Sequence, residues 1–422
     1  MTPVTDRTQA AGPLAGLRIL DLTSVAMGPY MMQTLGDLGA EVIKVESPQG
    51  DITRQLAPGR HAGMSPLFLQ LNRSKRSLVL DLKDPAGRDA LLQLARGVDA
   101  LVCNVRPAAM ARLGLDYEAV AAVSPRIVYC SLVGFGQEGR YARRAALDDL
   151  IQGGTGLAAL AARQDGEPHY APGWIADQSV GLVGTYALLA ALLHRERSGQ
   201  GQAIEVPMFE TMAQYMLTPH LYGKTFRPPV GGTGYPRIFA RRPFKTQDGY
   251  ICATAYTPVH WHRFFDLIGR AELKSDPRFR DQAGISANVA ALNDLFAEAM
   301  RGRSTAEWLR LLDEADIPVL PMHTPDSLID DPHLAEVGFF QDVEHPTEGP
   351  IRTMAVPTRW SRSKPAPTRL APVLGQHSLD VLREAGLSQK QIDDLLARGV
   401  TLDGRRTSEA PANDTKPRDR EL

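Results

Sequence analysis

The stretch LRILDLTSVAMGPYMMQTLGDLGAEVIKVE, residues 17–46, places two short apolar runs on either side of a helical pattern. Leu17–Leu22 reads as a buried strand, TSVAMGP as a loop, Tyr30–Gly39 as a short helix and Glu41–Glu46 as a second strand. Two strands joined through a helix form a βαβ unit, whose strands run parallel. The pattern continues with a strand at Ser77–Leu82, a helix from Pro85 to about Arg96, and strands at Ala100–Asn104 and Arg126–Leu132. This alternation predicts an α/β fold in which helices cover both faces of a parallel sheet and ligands sit at the carboxyl ends of the strands.

A second long element is WIADQSVGLVGTYALLAALLHRERSGQGQ, residues 174–202. Val180, Val183, Tyr186 and Ala187 lead an apolar helical pattern that closes on basic residues and on Gly199 and Gly201, so both helix ends are marked. Asp177 precedes that pattern, and Asp is a preferred N-cap. The positive end of the helix favours the anion, which predicts a carboxylate ionised near neutral pH. An ionised carboxylate can attack an activated acyl group, so cap and nucleophile are both open readings of Asp177.

Residues from about Thr218 to Arg241 are rich in Pro, Gly and basic side chains and read as a linker. Beyond it, FKTQDGYICATA is a hairpin turning at Asp248-Gly249, followed by helical patterns at His260–Leu273, Asn288–Met300 and Thr305–Glu314. This makes a smaller α+β domain. From Ile317 to Ser363 the chain is extended and Pro-rich, and Ser378–Ala397 carries two short helices. The expected organisation is a flexible N-terminus at 1–12, a large domain at 13–217, a linker at 218–241, a small domain at 242–325, a return linker at 326–363, a C-terminal part of the large domain at 364–404 and a disordered tail at 405–422.

Composition narrows the function. The 422 residues suffice for two or three domains and a substantial core, with 43% hydrophobic and 23% charged residues. A formal net charge of -1 argues against a nucleic-acid partner, because backbone affinity for phosphate needs clustered Lys and Arg. Cys103, Cys130 and Cys252 stand far apart, in no CxxC pair, which predicts neither a disulfide framework nor a zinc site. MTPVTDRTQAAG lacks a secretory pattern, and no eighteen apolar residues run uninterrupted, so a cytoplasmic location without a membrane partner is expected.

Other motifs carry weaker chemistry. Gly134-Phe-Gly136-Gln-Glu-Gly139 matches GxGxxG after a strand, but RYARRAALDD does not open a clean apolar helix, so an ordinary turn competes with a nicotinamide site. Lys75, Arg76, Lys83, Arg106, Arg112, Arg140, Arg143 and Arg144 lie near strand ends, where they suit a phosphorylated ligand or are simply solvated charges. His260 and His262 have no acidic or Cys ligand nearby and read as surface histidines. No G-x-S-x-G elbow or Cys-His-Asn signature is present.

Together these motifs resemble the class III CoA-transferases, which include formyl-CoA:oxalate and carnitine CoA-transferases and the related 2-methylacyl-CoA racemases. The resemblance rests on GPLAGLRILDLTSVAMGPY at 12–30, LGDLGAEVIKVESPQGD at 35–51, LNRSKRSLVLDLKDPAGR at 71–88, NVRPAAMARLGLDY at 104–117, RIVYCSLVGFGQEGRY at 126–141, RERSGQGQ at 195–202 and LGQHSLDVLREAGLS at 374–388. It covers about residues 12–400 in order. It implies a Rossmann-like large domain joined by two linkers to a small domain, with two chains threaded into an interlocked homodimer. It also implies that Asp177 is the catalytic nucleophile. CoA would touch Ala26, Met27, Leu80, Lys83, Asn104, Val105, Arg106, Arg112 and Arg144, with Ala145–Asp148 beside it.

The implied reaction moves CoA from an acyl-CoA to a carboxylate through an aspartyl anhydride and an aspartyl-CoA thioester. CoA is then a substrate, with no tightly bound cofactor and no metal. Oxalate-handling members have H-V-Q-A-G-P where this chain has Ser24-Val-Ala-Met-Gly28-Pro, and Arg where it has Ser47, so the likeness does not extend to oxalate or formate. Their glycine-rich flap is not matched by Gly231-Gly232-Thr-Gly234. The racemase branch uses a His before the Asp of G-H-D-x-N-Y; here Leu147 precedes Asp148, and an aliphatic side chain cannot exchange a proton. A racemase, a nicotinamide dehydrogenase and a non-catalytic CoA-binding protein are the alternatives to transfer.

Overall fold

The computed structural model describes residues 12–235 and 241–405. Residues 1–11 and 406–422, on which the expected flexible N-terminus and disordered tail fall, lie outside the described residues, as do 236–240 of the first linker. The chain forms two compact units. One is built from residues up to 162, from 168–216 and from 336 on; the other from 163–167 and 217–335.

The first unit is organised by a six-stranded sheet, β1 Arg18–Leu22, β2 Glu41–Glu46, β3 Lys75–Val79, β4 Ala100–Cys103, β5 Val128–Val133 and β6 Gln202–Pro207, in the order β3-β2-β1-β4-β5-β6. Every pair in it is parallel. Strands buried on both faces alternate between two cores. Leu20, Leu22, Leu101 and Cys103 point into one, closed by the helices Ser378–Glu384 and Gln389–Ala397. Ile19, Val42, Ala100 and Val102 point into the other. The connections after β1 and β4 diverge to opposite sides of the sheet, so a crevice opens at the carboxyl ends of these two strands.

Besides those two C-terminal helices, this unit has α1 Met27–Asp37, α2 Pro66–Leu71, α3 Pro85–Ala95, α4 Pro107–Leu113, α5 Tyr117–Val123, α6 Asp148–Gly154, α7 Leu157–Asp165, α8 Ile175–Ser198 and α9 Met208–His220. Both α7 and α9 run past the unit's edge. Helix α8 is long and apolar enough, by length and composition, to cross a membrane. Here Val180, Leu188, Ala191 and Leu192 are buried in the core shared with Met27 and Met31 of α1. Glycines permit that contact. A Cβ at Gly181 would stand 2.7 Å from the carbonyl oxygen of Met27, and one at Gly184 would stand 2.8 Å from the Met31 sulfur.

Three readings shift. Strand β3 begins at Lys75, two residues before the expected Ser77, because the charged Lys75 and Arg76 are buried by pairing within the sheet. Strand β6, QAIEVP, is an edge strand with alternating exposure, too polar to stand out in the sequence. The segment read as a return linker contains helices Pro325–Ile329 and Pro332–Glu336 and an antiparallel hairpin, Phe340–His345 with Gly349–Met354. That hairpin is tied to the first unit: Gln70 Nε2 donates to the Arg352 carbonyl at 2.8 Å, and Arg73 to Thr353 Oγ1 at 2.8 Å.

The second unit has a three-stranded antiparallel sheet of Phe244–Lys245, Tyr250–Ala253 and Val319–Pro321, the first two forming the expected hairpin. Helices Pro258–Leu267, Val289–Met300 and Thr305–Glu314 enclose an aromatic core in which Phe264 and Phe296 stack at 4.3 Å. Thr257 and Ser304 cap two of them.

The two glycines of α8 should differ under mutation. Gly181→Ala forces a methyl against backbone and is expected to cost about 1–3 kcal/mol. Gly184→Ala meets a flexible Met side chain, and the gain in helix propensity offsets it, leaving stability within about 1 kcal/mol. Thermal unfolding of both variants under one condition checks the ranking.

Candidate active site

The loop leaving β1 is built on buried charge. Asp21, Lys44 and Lys75 are fully buried and Asp51 is nearly so. Lys44 Nζ donates to the Thr23 carbonyl at 2.8 Å and to Asp51 Oδ2 at 2.9 Å. Asp21 Oδ1 accepts from the Thr23 backbone N–H at 2.9 Å. Lys75 Nζ donates to the Pro29 carbonyl at 3.0 Å and to Asn72 Oδ1 at 2.9 Å, and stands 3.2 Å from Asp21 Oδ2, in ion-pair range but off the hydrogen-bond direction. Burial pulls Lys44 down, but the carboxylates of Asp21, Asp51 and Glu46 outweigh it and hold the ammonium above the ordinary lysine value. For Lys75 burial wins, pushing it down to about 8.

Above this network Val25 adopts φ 71, a left-handed conformation that costs a β-branched residue about 1–3 kcal/mol. The neighbouring bonds impose it. Asn104, at the end of β4, accepts from the Ser24 N–H at 3.0 Å and donates to the Ser24 carbonyl at 2.8 Å, and the Val25 N–H reaches Asp51 Oδ1 at 3.3 Å. Gly28 is required beside them, because a Cβ there would lie 2.2 Å from Thr23 Cβ. Helix α1 then starts at Met27 with no side chain capping it.

Asp177 is not the cap of α8. Trp174 occupies that position without a side-chain bond, and Asp177 is the third residue of the helix. Helix α8 starts early because its approach is fixed from below: Gln152, fully buried, donates to the Ala171 and Gly173 carbonyls at 3.4 and 3.3 Å and accepts from the Ala171 N–H at 2.9 Å. The same amide donates to Asp148 Oδ2 at 2.5 Å, and Asp148 Oδ1 accepts the backbone N–H of Asp177 at 2.9 Å. Burial, and then the charge of Asp148, push the Asp177 carboxyl up to about 6, where the helix dipole alone had predicted a low value.

A cavity of about 270 Å³ lies at the crevice after β1 and β4. Asp177 lines it together with Ser24, Ala26 and Met27 of the first loop, Asn104, Val105 and Arg106 of the second, and Arg144, Ala145, Ala146 and Leu147 before α6. Thus seven of the residues named from the sequence, Ala26, Met27, Asn104, Val105, Arg106, Arg144 and Asp177, border one space. Leu80, Lys83 and Arg112 do not. Lys83 and Arg112 are exposed, whereas the Leu80 side chain is in the core, leaving only backbone to offer a ligand. Lys75 and Arg76 are also withdrawn from any phosphate: Arg76 pairs with Glu41 at 2.6 Å and Glu384 at 2.7 Å. Arg144 stands over the Tyr141 ring at 4.2 Å, and that ring packs edge-on against Phe135 and Phe209.

The Gly134 turn is closed to a dinucleotide. Its Gly136 and Gln137 N–H groups donate to Glu210 Oε1 and Glu205 Oε1, both at 3.0 Å, so a pyrophosphate would meet two carboxylates. His260 and His262 share the helix Pro258–Leu267, where i,i+2 side chains diverge. Among the described residues no three His, Cys, Asp or Glu side chains are grouped to hold a metal ion. The Asp148–Gln152 brace went unread in the sequence; its one signal is an i,i+4 Asp-Gln pair at a helix start.

A family model described as CoA-transferase family III matches residues 14–378. Succinyl-CoA:glutarate CoA-transferase of Homo sapiens is 31% identical over 92% of this chain and 90% of its own. Succinate--glutarate CoA-transferase of Agrobacterium fabrum is 30% identical over 90% and 98%. Among solved structures, Rv3272 from M. tuberculosis superposes with a TM-score of 0.77 at 32% identity, covering 88% of this chain and 99% of that one.

Because Asp177 holds its proton more tightly in the folded chain than the ordinary 3.8, its contribution to stability is full below pH 3.8 and is lost as pH rises through about 6. Asp177→Asn removes the buried charge. The variant is expected to be more stable than the parent by roughly 1–2 kcal/mol at pH 8, with the gain vanishing near pH 4. Thermal unfolding of both proteins across that range measures it.

Proposed function

The chain belongs to CoA-transferase family III, and on that premise we propose that it moves CoA between carboxylic acids through covalent intermediates on Asp177. The observation that carries the reading is a single half-buried carboxylate, pushed up to about 6, bordering the cavity at the switch point of the sheet. At pH 7 such a group is about nine-tenths ionised, yet more basic and so more nucleophilic than a solvated carboxylate.

Asp177 attacks the donor thioester carbonyl, the C–S bond breaks, and a mixed anhydride and CoA thiolate form. The thiolate returns to the Asp177 acyl carbon, releasing the donor acid and leaving an aspartyl-CoA thioester. The acceptor carboxylate then displaces CoA thiolate to form a second anhydride. Attack of the thiolate on the acceptor acyl carbon gives the new acyl-CoA and restores Asp177. Each step exchanges one activated acyl bond for another, so ATP is not needed.

Backbone N–H groups in the Ser24–Gly28 loop and the uncapped first turn of α1 suit the developing oxyanions, since Ala26 and Met27 border the same cavity. Arg106 and Arg144 lie at that wall, and Lys83 and Arg112 are exposed for the phosphates of CoA. Relatives named for succinyl-CoA or succinate with glutarate make succinyl-CoA and a small dicarboxylate the first pair to test. A racemase is disfavoured because, among the described residues, Asp177 is the only carboxylate lining the cavity and no His joins it, so proton exchange at carbon lacks a second base. A cytoplasmic location agrees with the buried free thiols of Cys103 and Cys130.

A homodimer is part of the proposal. Leu182, Tyr186 and Leu193 of α8 are about half exposed, at 49%, 62% and 52%, a row of large apolar side chains that a second copy of the chain would cover.

Incubation with succinyl-CoA followed by hydroxylamine should place a hydroxamate on Asp177, located by peptide mass spectrometry. Asp177→Ala should lose at least about 10³-fold in transfer while still binding CoA. Transfer by Asp177→Ala at the parental rate would refute the mechanism. In the parent, kcat/KM should fall as pH drops through about 6, and Asp148→Asn should move that limb to lower pH by removing the charge that raises Asp177. In light scattering the mass should be twice the chain's 46.0 kDa, and Tyr186→Glu with Leu193→Glu should return it to the monomer value.

A further inference from the structure

In the motif NRSKRS, residues 72–77, Lys75 and Arg76 read from sequence as phosphate contacts or solvated charges, yet Arg73, Lys75 and Arg76 are all buried. Its side chains face inward in two directions. Arg73 reaches Asp37 at 2.8 Å as well as Thr353, Ser74 Oγ accepts from the Thr368 N–H at 3.0 Å, and Arg76 pairs with Glu384. These three hold the returning chain. Asn72 and Lys75 turn instead toward the loop after β1.

We propose that Lys75, which does not border the cavity, is the positioning residue of the Ser24–Gly28 loop: its ammonium, shared by Asn72, the Pro29 carbonyl and Asp21, sets where the first turn of α1 stands beside Asp177. Its three partners come from three elements. Asn72 is fixed at the end of α2 by its own bond to the Phe68 carbonyl at 3.2 Å, Pro29 lies in the first turn of α1, and Asp21 is in β1, one residue before its end, where it holds Thr23. Lys44 makes the matching tie at the loop's start, to the Thr23 carbonyl and Asp51. The strained Val25 lies between the two ties. A fully buried ammonium is retained at such a place only when it is both hydrogen-bonded and paired with a carboxylate, since an uncompensated buried charge is heavily penalised. An apolar side chain of equal length would fill the space without directing the Pro29 carbonyl.

The consequence for turnover rests on the transfer reading; the consequence for the loop does not. Lys75→Met keeps the stem and removes the donors, and Arg76→Met is the control within the same motif. Hydrogen–deuterium exchange of the full-length proteins should show residues 23–32 exchanging at least about tenfold faster in Lys75→Met, with residues 258–314 unchanged. In Arg76→Met the loop should match the parent. With succinyl-CoA as donor, kcat should fall about thirtyfold in Lys75→Met while KM stays within about threefold, because the cavity wall is displaced but not removed.

Should Lys75→Met fold poorly, Asp21→Asn with Lys75→Met removes the cation and its carboxylate together and gives the same readout. Loop exchange within about twofold of the parent, or equal acceleration in every peptide, overturns the proposal. If the parent itself yields no hydroxamate on Asp177, the transfer reading fails, while exchange in residues 23–32 still decides the role of Lys75.

Discussion

The charge cluster of Asp21, Lys44, Asp51 and Lys75 beneath the first loop is the constraint on which the site depends. Four ionisable groups with almost no solvent contact are costly to bury, and pairing does little more than break even with an apolar core. What the cluster supplies is direction. Each charge ends on a backbone atom of the segment Thr23–Pro29 or on a group that touches one, so the segment has few alternative conformations. That over-determination is what allows Val25 to persist at positive φ, where a free loop would relax.

The sheet order places that loop where it matters. In the order β3-β2-β1-β4-β5-β6, adjacent β1 and β4 send their connections to opposite sides, and Asn104 closes the gap by bonding both the N–H and the carbonyl of Ser24. Helix α8 is brought to the same crevice by Gly181 and Gly184, which let it approach α1 closely. Two rigid elements therefore converge at the cavity, the first turn of α1 and the first turn of α8. Asp177 is carried by the latter, on a helix of 24 residues, and so is held by packing rather than by a mobile loop.

Much of this was legible in the residues. The βαβ pattern of 17–46 announces a parallel sheet, and the resemblance to class III CoA-transferases implies the clustering of Ala26, Asn104 and Asp177 that the cavity shows. The illegible parts share a physical cause, which is that sequence patterns treat charge as exposed. Lys75 and Arg76 read from sequence as phosphate contacts or as solvated charges because their carboxylate partners, Asp21 and Glu384, lie far away along the chain. Strand β3 was misplaced for the same reason. The hairpin at 340–354 is hidden by Pro346 in its turn and Pro350 in its second strand, and β6 by the exposure of an edge strand. For Asp177 local sequence named the residue but not its environment, because Asp148 and Gln152 arrive from another helix.

That environment decides between two opposed effects. A position in the first turn of a helix stabilises an anion by about 0.3–1 kcal/mol, less than one pKa unit. Burial together with the Asp148 charge acts the other way and prevails, moving the carboxyl from 3.8 to about 6. The direction suits the acyl shuttle proposed above. A carboxylate that must capture an acyl group from a thioester gains from higher basicity, but it must also leave when the thiolate attacks the other carbonyl of the anhydride. A nucleophile as basic as a thiolate would keep the acyl group, and one at the usual carboxylate value would have no advantage over the substrate acids surrounding it. At about 6, Asp177 is a modestly stronger base than a typical carboxylic acid and far weaker than a thiol of about 8.5, so acyl transfer onto and off it are both open.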